Sequence, residues 1–338
     1  MKINRKELLE VLAKLRPVAA KESITGEQLN YFTFSGDHVF TYNDYLCVSH
    51  PFKDNFLDCS VPAAEFFDIL KKIEEEEIDI SPDKKNNLKI ESKSIRANLK
   101  TIDGVDVILN LSDIKKWLKL PEDFIEGISV CLFSVGAVGG DDSRPYLAYL
   151  NVKENCIVSS DNYRISRFNL EGKIKNPFLL PGSSAKELIK YEIVKYYLGS
   201  SWVYFKTKDG VIICSRLVNE EYPDIGDYFD FKGKQTELPN DMKSSVEIAS
   251  ILAEGDFNID KKIEVSIGGG KIKCKGENEI GWIEKTIPIE SKVELKIFIN
   301  PLFFGKILEL SNYVKIGDGK ALFKADKFEH LISLLPNE

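Results

Sequence analysis

Only three histidines, His38, His50 and His330, occur in 338 residues, and none stands near another or at a ligand spacing. Histidine-based catalysis and histidine-bound metal therefore have no pattern to rest on. Six cysteines, Cys47, Cys59, Cys131, Cys156, Cys214 and Cys274, are scattered without a Cys-x-x-Cys pair. That spacing argues against a zinc site and a disulfide framework, and the cysteines read as small buried apolar residues. No stretch approaches the roughly eighteen uninterrupted apolar residues of a membrane span, so no membrane partner is expected. The chain opens on Met1, Lys2 and Ile3 and passes straight into a helical pattern, with no apolar core or cleavage site of a secretory signal. A cytoplasmic location is expected.

The motifs of catalysis are also missing. There is no Gly-x-x-x-x-Gly-Lys-Ser/Thr loop, and Gly268-Gly269-Gly270 lies between two strand-like runs rather than ahead of a helix. Asp141, Asp142 and Asp161 match no acid–base or metal spacing. No enzyme, metal or cofactor is expected.

What is present is the balance of a globular protein, 43% hydrophobic and 29% charged, in a chain too long for one core. The net charge of -7 excludes a protein that coats nucleic acid by bulk charge. It leaves room for one that gathers its lysines on a single face.

A repeat organises the chain. A short strand-like run ending in Asn or Pro, followed by an amphipathic helix, recurs at Ile3-Asn4, Val61-Pro62, Leu120-Pro121, Leu180-Pro181, Leu238-Pro239 and Ile299-Asn300. The starts are 58, 59, 60, 58 and 61 residues apart. Asparagine caps a helix and proline is tolerated in its first turn, so each start has a physical reason. The helices are expected over Arg5 to Val18, Ala63 to Glu75, Glu122 to Val135, Ser184 to Leu198, Met242 to Ala253 and Leu302 to Leu310. On the first, Leu8, Leu12 and Leu15 form one face and Lys6, Glu10 and Lys14 another. Between helices run alternating segments such as Trp202 to Lys208 and Lys261 to Ile267, the latter turning through Gly268-Gly269-Gly270 into a hairpin.

A unit of about 60 residues cannot cover both faces of its own sheet, so units should pair. A longer echo agrees: Val39 to Tyr45 resembles Ile157 to Tyr163, 118 positions on. The expected fold is α+β, with six β-α-β-β-β units in three similar domains, 1–118, 119–236 and 237–338.

Four segments carry a family resemblance. Asp161-Asn162-Tyr163-Arg164-Ile165 and Glu221-Tyr222-Pro223-Asp224 resemble motifs of the bacterial DNA polymerase III beta subunit, the DNA sliding clamp. Leu179-Leu180-Pro181 with Ala185 to Leu188, and Arg144-Pro145-Tyr146-Leu147, resemble two more in the same order. The resemblance implies a homodimeric ring of six domains, helices inside and antiparallel sheets outside. Such a ring encircles double-stranded DNA without reading sequence and holds a polymerase and a clamp loader through short peptides. A clamp-fold scaffold that does not encircle DNA is the alternative.

Sliding requires phosphate contacts rather than base contacts. Lys186 and Lys190, one helical turn apart, are the leading residues, with Lys195 extending their face. Lys14, Lys71 and Lys72 are weaker members, as are Arg16, Lys243 and Lys306, and each taken singly reads equally as a solvated lysine. Lys21 matches a DNA-contacting arginine of the family, and Arg144 and Tyr146 match its DNA-touching loop, here preceded by Asp141 and Asp142. The run Glu74 to Glu77 reads as a solvated helix end.

The resemblance also implies a peptide groove between the second and third domains. Leu147, Ser160, Asn162, Tyr163, Arg164 and Ile165 would form one wall, with Pro223 and Tyr228 beside it. The final strand, Phe328 to Pro336, would close it, with Leu334 and Leu335 among its wall residues. The family's usual ending, Met-Pro-Met-Arg-Leu, is replaced here by Ser-Leu-Leu-Pro-Asn before Glu338, which implies a changed partner peptide. Ile165, Leu334 and Leu335 also read as plain core.

Overall fold

Asn4 sets the start of the first helix, accepting hydrogen bonds from the backbone N–H of Lys6 (3.0 Å) and Glu7 (3.2 Å). Asn300 does the same for Leu302 (2.9 Å) and Phe303 (3.2 Å). Pro62 and Pro181 stand one residue before their helices, where an N–H would have no helical partner. These locally encoded starts recur through the molecule. It is a computed structural model that describes residues 1–19, 30–43, 45–53, 57–83, 87–102, 114, 116–136 and 144–336. Lys21, Asp141 and Asp142 fall outside the described residues.

The chain runs strand, helix and three strands six times over. The first repeat is β1 (Lys2–Asn4), α1 (Arg5–Leu15), β2 (Tyr31–Ser35), β3 (His38–Tyr42) and β4 (Leu46–Pro51). The second is β5 (Cys59–Pro62), α2 (Ala63–Lys72), β6 (Glu77–Asp83), β7 (Asn87–Glu91) and β8 (Arg96–Lys100). The third is β9 (Leu118–Lys119), α3 (Phe124–Cys131), β10 (Tyr149–Val152), β11 (Cys156–Ser160) and β12 (Arg164–Asn169). The fourth is β13 (Phe178–Pro181), α4 (Gly182–Leu188), β14 (Ile193–Leu198), β15 (Trp202–Thr207) and β16 (Ile212–Arg216). The fifth is β17 (Lys234–Glu237), α5 (Met242–Ser250), β18 (Ile263–Gly268), β19 (Lys271–Asn278) and β20 (Gly281–Pro288). The sixth is β21 (Leu295–Ile299), α6 (Pro301–Ile307), β22 (Tyr313–Gly317), β23 (Lys320–Lys324) and β24 (Phe328–Ser333).

Contacts group residues 1–126 with 172–219 in one unit, and residues 127–171 with 220–338 in another. The first unit holds a four-stranded sheet, β1-β6-β7-β8, and an eight-stranded one, β5-β2-β3-β4-β16-β15-β14-β9. The second holds β20-β19-β18-β21 and the run β10-β11-β12-β24-β23-β22-β17. Among the described residues these pairings are antiparallel, and two rules describe how the repeats join. Neighbouring repeats exchange their leading strands, so β1 joins β6 while β5 joins β2, and β17 joins β22 while β21 joins β18. Third strands of repeats three apart join edge to edge, β4 with β16 and β12 with β24. By that rule β8 and β20 lack a third-strand neighbour, and each ends its sheet.

The helices cover one face of each sheet. Leu8, Leu12 and Leu15 of α1 are fully buried, which contributes roughly 1.5–3 kcal/mol apiece. The hairpin of β18 and β19 turns through Gly269 (φ 57°) and Gly270 (φ 72°), both left-handed, as a two-residue turn demands.

Most helices stop short of the expected ends. The clearest case is α4, which ends at Leu188 instead of Leu198 because Ile193 to Leu198 alternates by two and pairs as a strand with both β15 and β9. Lys195 therefore extends no helical face. It shares a sheet face with half-buried Tyr197, while Tyr196 between them is fully buried on the other face. Lys190 likewise sits in the turn after α4, tied to Glu187 at 2.7 Å. Glu74 to Glu77 is not a plain solvated helix end: Lys6 meets Glu76 at 2.5 Å, Lys2 lies 3.6 Å from Glu77, and Arg5 donates to the Glu75 carbonyl.

Candidate functional site

The turn between β11 and β12 is held by one carboxylate. Asp161 accepts from the N–H groups of Tyr163 (3.2 Å) and Arg164 (2.9 Å), and from the Arg164 guanidinium at 3.0 and 2.6 Å. The turn needs a left-handed residue, and Asn162 supplies it at φ 74°. The Arg164 guanidinium lies 3.9 Å above the Phe303 ring and is largely buried. It braces the turn against the sixth repeat and is spent on that task.

Around this turn lies a cleft of about 350 Å³ within the second unit. Of the residues expected to form a groove, Leu147, Ser160, Asn162, Tyr163, Arg164, Ile165, Pro223 and Tyr228 all line it. Leu334 and Leu335 do not. The chain leaves β24 there, Leu334 donating to the Gly319 carbonyl and Leu335 to that of Phe298, which draws both off the cleft wall. Arg144 and Tyr146, expected at DNA, also line the cleft: Arg144 donates to the Asn162 side chain (2.9 Å) and Tyr146 meets Tyr222 edge to face.

The final strand does reach the lining, through Leu331 and Ser333, and four further residues not expected there join it: Tyr222, Asp224, Ile225 and Lys320. Tyr222 and Asp224 flank Pro223 in a segment already singled out. Leu331 is the direct cross-strand partner of Ile165, a register no local pattern reveals. Val158, Ile165, Ile225, Phe229, Leu322 and Leu331 form the apolar bed beneath. Burial pushes the Tyr222 phenol well above its ordinary value, with the Ser160 backbone giving a smaller opposing effect. An apolar floor with a few polar groups on its rim suits an extended peptide.

The other expected cations are not among the residues that line the cleft. Lys186 is exposed on α4, while Lys71 and Lys72 are exposed at the end of α2. Lys14 ends α1 and pairs with Asp209 at 3.0 Å, and Lys243 pairs with Glu309 at 2.7 Å. Among the described residues no group of three His, Cys, Asp or Glu side chains is arranged to hold a metal.

Behind the cleft wall runs a buried polar chain. Ser134 hydrogen-bonds Ser166 (2.9 Å), which hydrogen-bonds His330 Nδ1 (2.8 Å), with Phe328 and Phe133 beside the imidazole. Burial foremost, then the charge of Arg164, lowers the His330 pKa to about 3. Unfolding frees that imidazole to bind a proton near pH 6.5, so stability is full above that pH and falls as acid is added toward pH 3. By pH 5 the loss from this one group is about 2 kcal/mol. Acid unfolding of His330→Gln should therefore show a shallower decline between pH 7 and pH 5. An identical decline in both proteins would show that His330 is not its source.

No family model matches the chain. A beta sliding clamp of Rickettsia bellii is 24% identical, the likeness covering 91% of this chain and 89% of that protein. Among solved structures, the DNA polymerase sliding clamp of Bacillus subtilis superposes with a TM-score of 0.85 at 19% identity, covering 100% of this chain and 99% of that one. The DNA polymerase III beta chain of Streptococcus pneumoniae gives 0.85 at 16%, covering 99% of each. A sliding clamp of Pseudomonas aeruginosa bound to griselimycin also gives 0.85 at 16%, covering 100% and 99%. The chain has the fold of the bacterial DNA sliding clamps from end to end.

Proposed function

We propose that this chain is a DNA sliding clamp: a non-catalytic homodimeric ring that encircles duplex DNA in the cytoplasm and tethers a polymerase and its loader by short peptides. One observation carries the reading. Third strands join third strands at β4–β16 and β12–β24, leaving β8 and β20 as the two edges the same rule would join. Two copies meeting β8 to β20, head to tail, satisfy the rule at every third strand and remove both edges. Charge favours that contact, since β8 carries Arg96 and Lys100 whereas β20 and its turn carry Glu279 and Glu284 against one lysine, Lys285.

The exchange of leading strands supports three domains, 1–118, 119–236 and 237–338, each a pair of repeats. Lys186 and Lys190 are the proposed phosphate contacts, joined by Lys14, Lys71 and Lys72, and the cleft is the proposed peptide groove.

The test is topological. The protein should stay on a nicked circle through gel filtration and slide off once the circle is cut. Escape from the intact circle as fast as from the linear form would favour the scaffold that does not encircle DNA. Reversing Lys186 and Lys190 to glutamate should lower the loaded fraction about tenfold near 0.1 M salt, because phosphate contacts supply sequence-independent affinity. Unchanged loading would remove both lysines from the DNA-facing surface.

A further inference from the structure

Three lysines stand side by side across the eight-stranded sheet of the first unit. Lys195 of β14 lies opposite Lys119 of β9 on one side and opposite Lys206 of β15 on the other. Strand spacing sets such neighbours about 5 Å apart on one face, where like charges oppose each other and weaken the sheet. Among the described residues the row's one ion pair joins Lys119 to Glu122 at 3.3 Å, with both side chains largely in water. The residues that alternate with the row, Tyr196 and Phe205, are fully buried on the opposite face, where Phe205 stacks on Phe124 of α3 at 6.0 Å. The lysines therefore lie on the face that α3 leaves uncovered.

An aromatic row runs beside them on that face. Two residues along each strand, Tyr197 lies opposite Tyr204, their ring centres 5.8 Å apart. Tyr42 and Trp202 continue the row at 6.1 Å from one another. These rings rest on buried Cys47 and Cys214, and Tyr42, Tyr197, Trp202 and Trp117 keep part of their surface in water. Cations border them on both sides: Lys206 stands 5.5 Å from the Trp117 ring, and Arg216, the cross-strand neighbour of Trp202, stands 5.8 Å from its ring.

Neither row selects a ligand alone. Lysines in line answer the phosphates of a nucleic acid, and fixed rings beside them answer the flat faces of its bases. A duplex hides those faces within its own stack, so the pairing of the two rows suits a single strand. An acidic peptide would use the lysines and leave the rings without a task. We propose that this face binds single-stranded nucleic acid without regard to sequence, its phosphates along Lys119, Lys195 and Lys206 and its bases on Tyr197, Tyr42 and Trp202. The site is separate from the cleft and needs no closed ring, so it stands or falls apart from the clamp reading.

The experiment uses the full chain and a fluorescein-labelled oligothymidylate of about 20 nucleotides, read by anisotropy at about 0.05 M salt. Affinity should fall with salt at a logarithmic slope of about -2, the value for three phosphates of a single strand, and the matching blunt duplex should bind at least about tenfold more weakly. Lys195→Glu combined with Lys206→Glu should weaken binding by more than about tenfold and flatten the slope, while the unfolding temperature holds or rises because the repulsion in the row is relieved. Trp202→Ala should weaken binding about tenfold with the slope unchanged, and Trp202→Phe should restore most of it. Unchanged affinity in the lysine pair, or loss of binding only when Lys186 and Lys190 are reversed, overturns the assignment to this face. A polyglutamate peptide that displaces the oligonucleotide and binds Trp202→Ala as well as the natural chain makes the face a site for acidic protein segments and overturns the proposal too. Absence of binding at about 0.1 mM oligothymidylate removes it outright.

Discussion

A chain carrying Ile280→Asp and Trp282→Asp together is expected to behave as a single copy of 38.3 kDa and to be lost from circular DNA. Ile280 is 89% exposed and Trp282 is 64% exposed, at the start of β20, which ends its sheet. Apolar side chains that far into water make little sense on a lone subunit, and a long free edge with them invites pairing. In the proposed ring they are covered by a second copy at β8, and the contact occurs twice. Two aspartates there would remove both apolar anchors and bury carboxylates at both contacts, a desolvation cost that Arg96 and Lys100 offset only in part, so ring formation should fall by more than about a thousandfold. The subunit itself should keep its stability to within about 0.5 kcal/mol, because no core residue changes and only a surface contact of Lys275 with the Trp282 ring is lost. Sedimentation and thermal unfolding of the same sample separate the two effects. A variant that still sediments as two copies would move the subunit contact away from β20.

That edge was beyond the reach of the sequence, while the repeats were not. Each repeat announces itself locally, through Asn4 and Asn300 as caps or Pro62 and Pro181 ahead of a helix, and through leucines that return every turn as at Leu8, Leu12 and Leu15. Cap chemistry and periodicity act within a few residues, so they can be read in order along the chain. Helix ends were harder, because nothing local stops a helix at Leu188; pairing of Ile193 to Leu198 with β15 and β9 does. The cleft divides the same way. Ser160, Asn162, Tyr163 and Ile165 sit in one recognisable turn, so they could be named. Leu331 came with the final strand that the family resemblance places at the groove, whereas Lys320 enters through the joining of β12 to β24 and β24 to β23, a register between strands about 160 residues apart that no short pattern carries. Leu334 and Leu335 fail for the complementary reason: they follow the strand in sequence, but their backbone bonds to Gly319 and Phe298 take them elsewhere.

Gly276→Ala should be among the most damaging single changes in the chain, costing about 3–5 kcal/mol, although it adds one methyl group. Gly276 lies in β19 opposite Ile283 of β20, directly beneath the end of α5. A Cβ there would stand 1.9 Å from the carbonyl oxygen of Ala249, 2.9 Å from its carbon and 3.1 Å from that of Leu252. All three are backbone atoms, so no rotamer relieves the clash. Either α5 must lift or β19 must bow by about 1 Å, and close-packed interiors resist such shifts. The cost falls on fully buried residues of both layers, Val246 and Ala249 above and Ile272 and Cys274 beside the glycine. Gly305→Ala is the internal control, since its Cβ would meet only Val246 at 4.0 Å in the interior of α6, where alanine favours the helix over glycine by up to about 1 kcal/mol. Amide exchange in β19 and β20 should accelerate in the first variant and slow or hold in the second. Because β20 is borne on β19, Gly276→Ala should also lose ring formation, but with a fallen unfolding temperature that the aspartate pair does not share. Native-like exchange in Gly276→Ala would mean that α5 and β19 are not packed as closely as these contacts require.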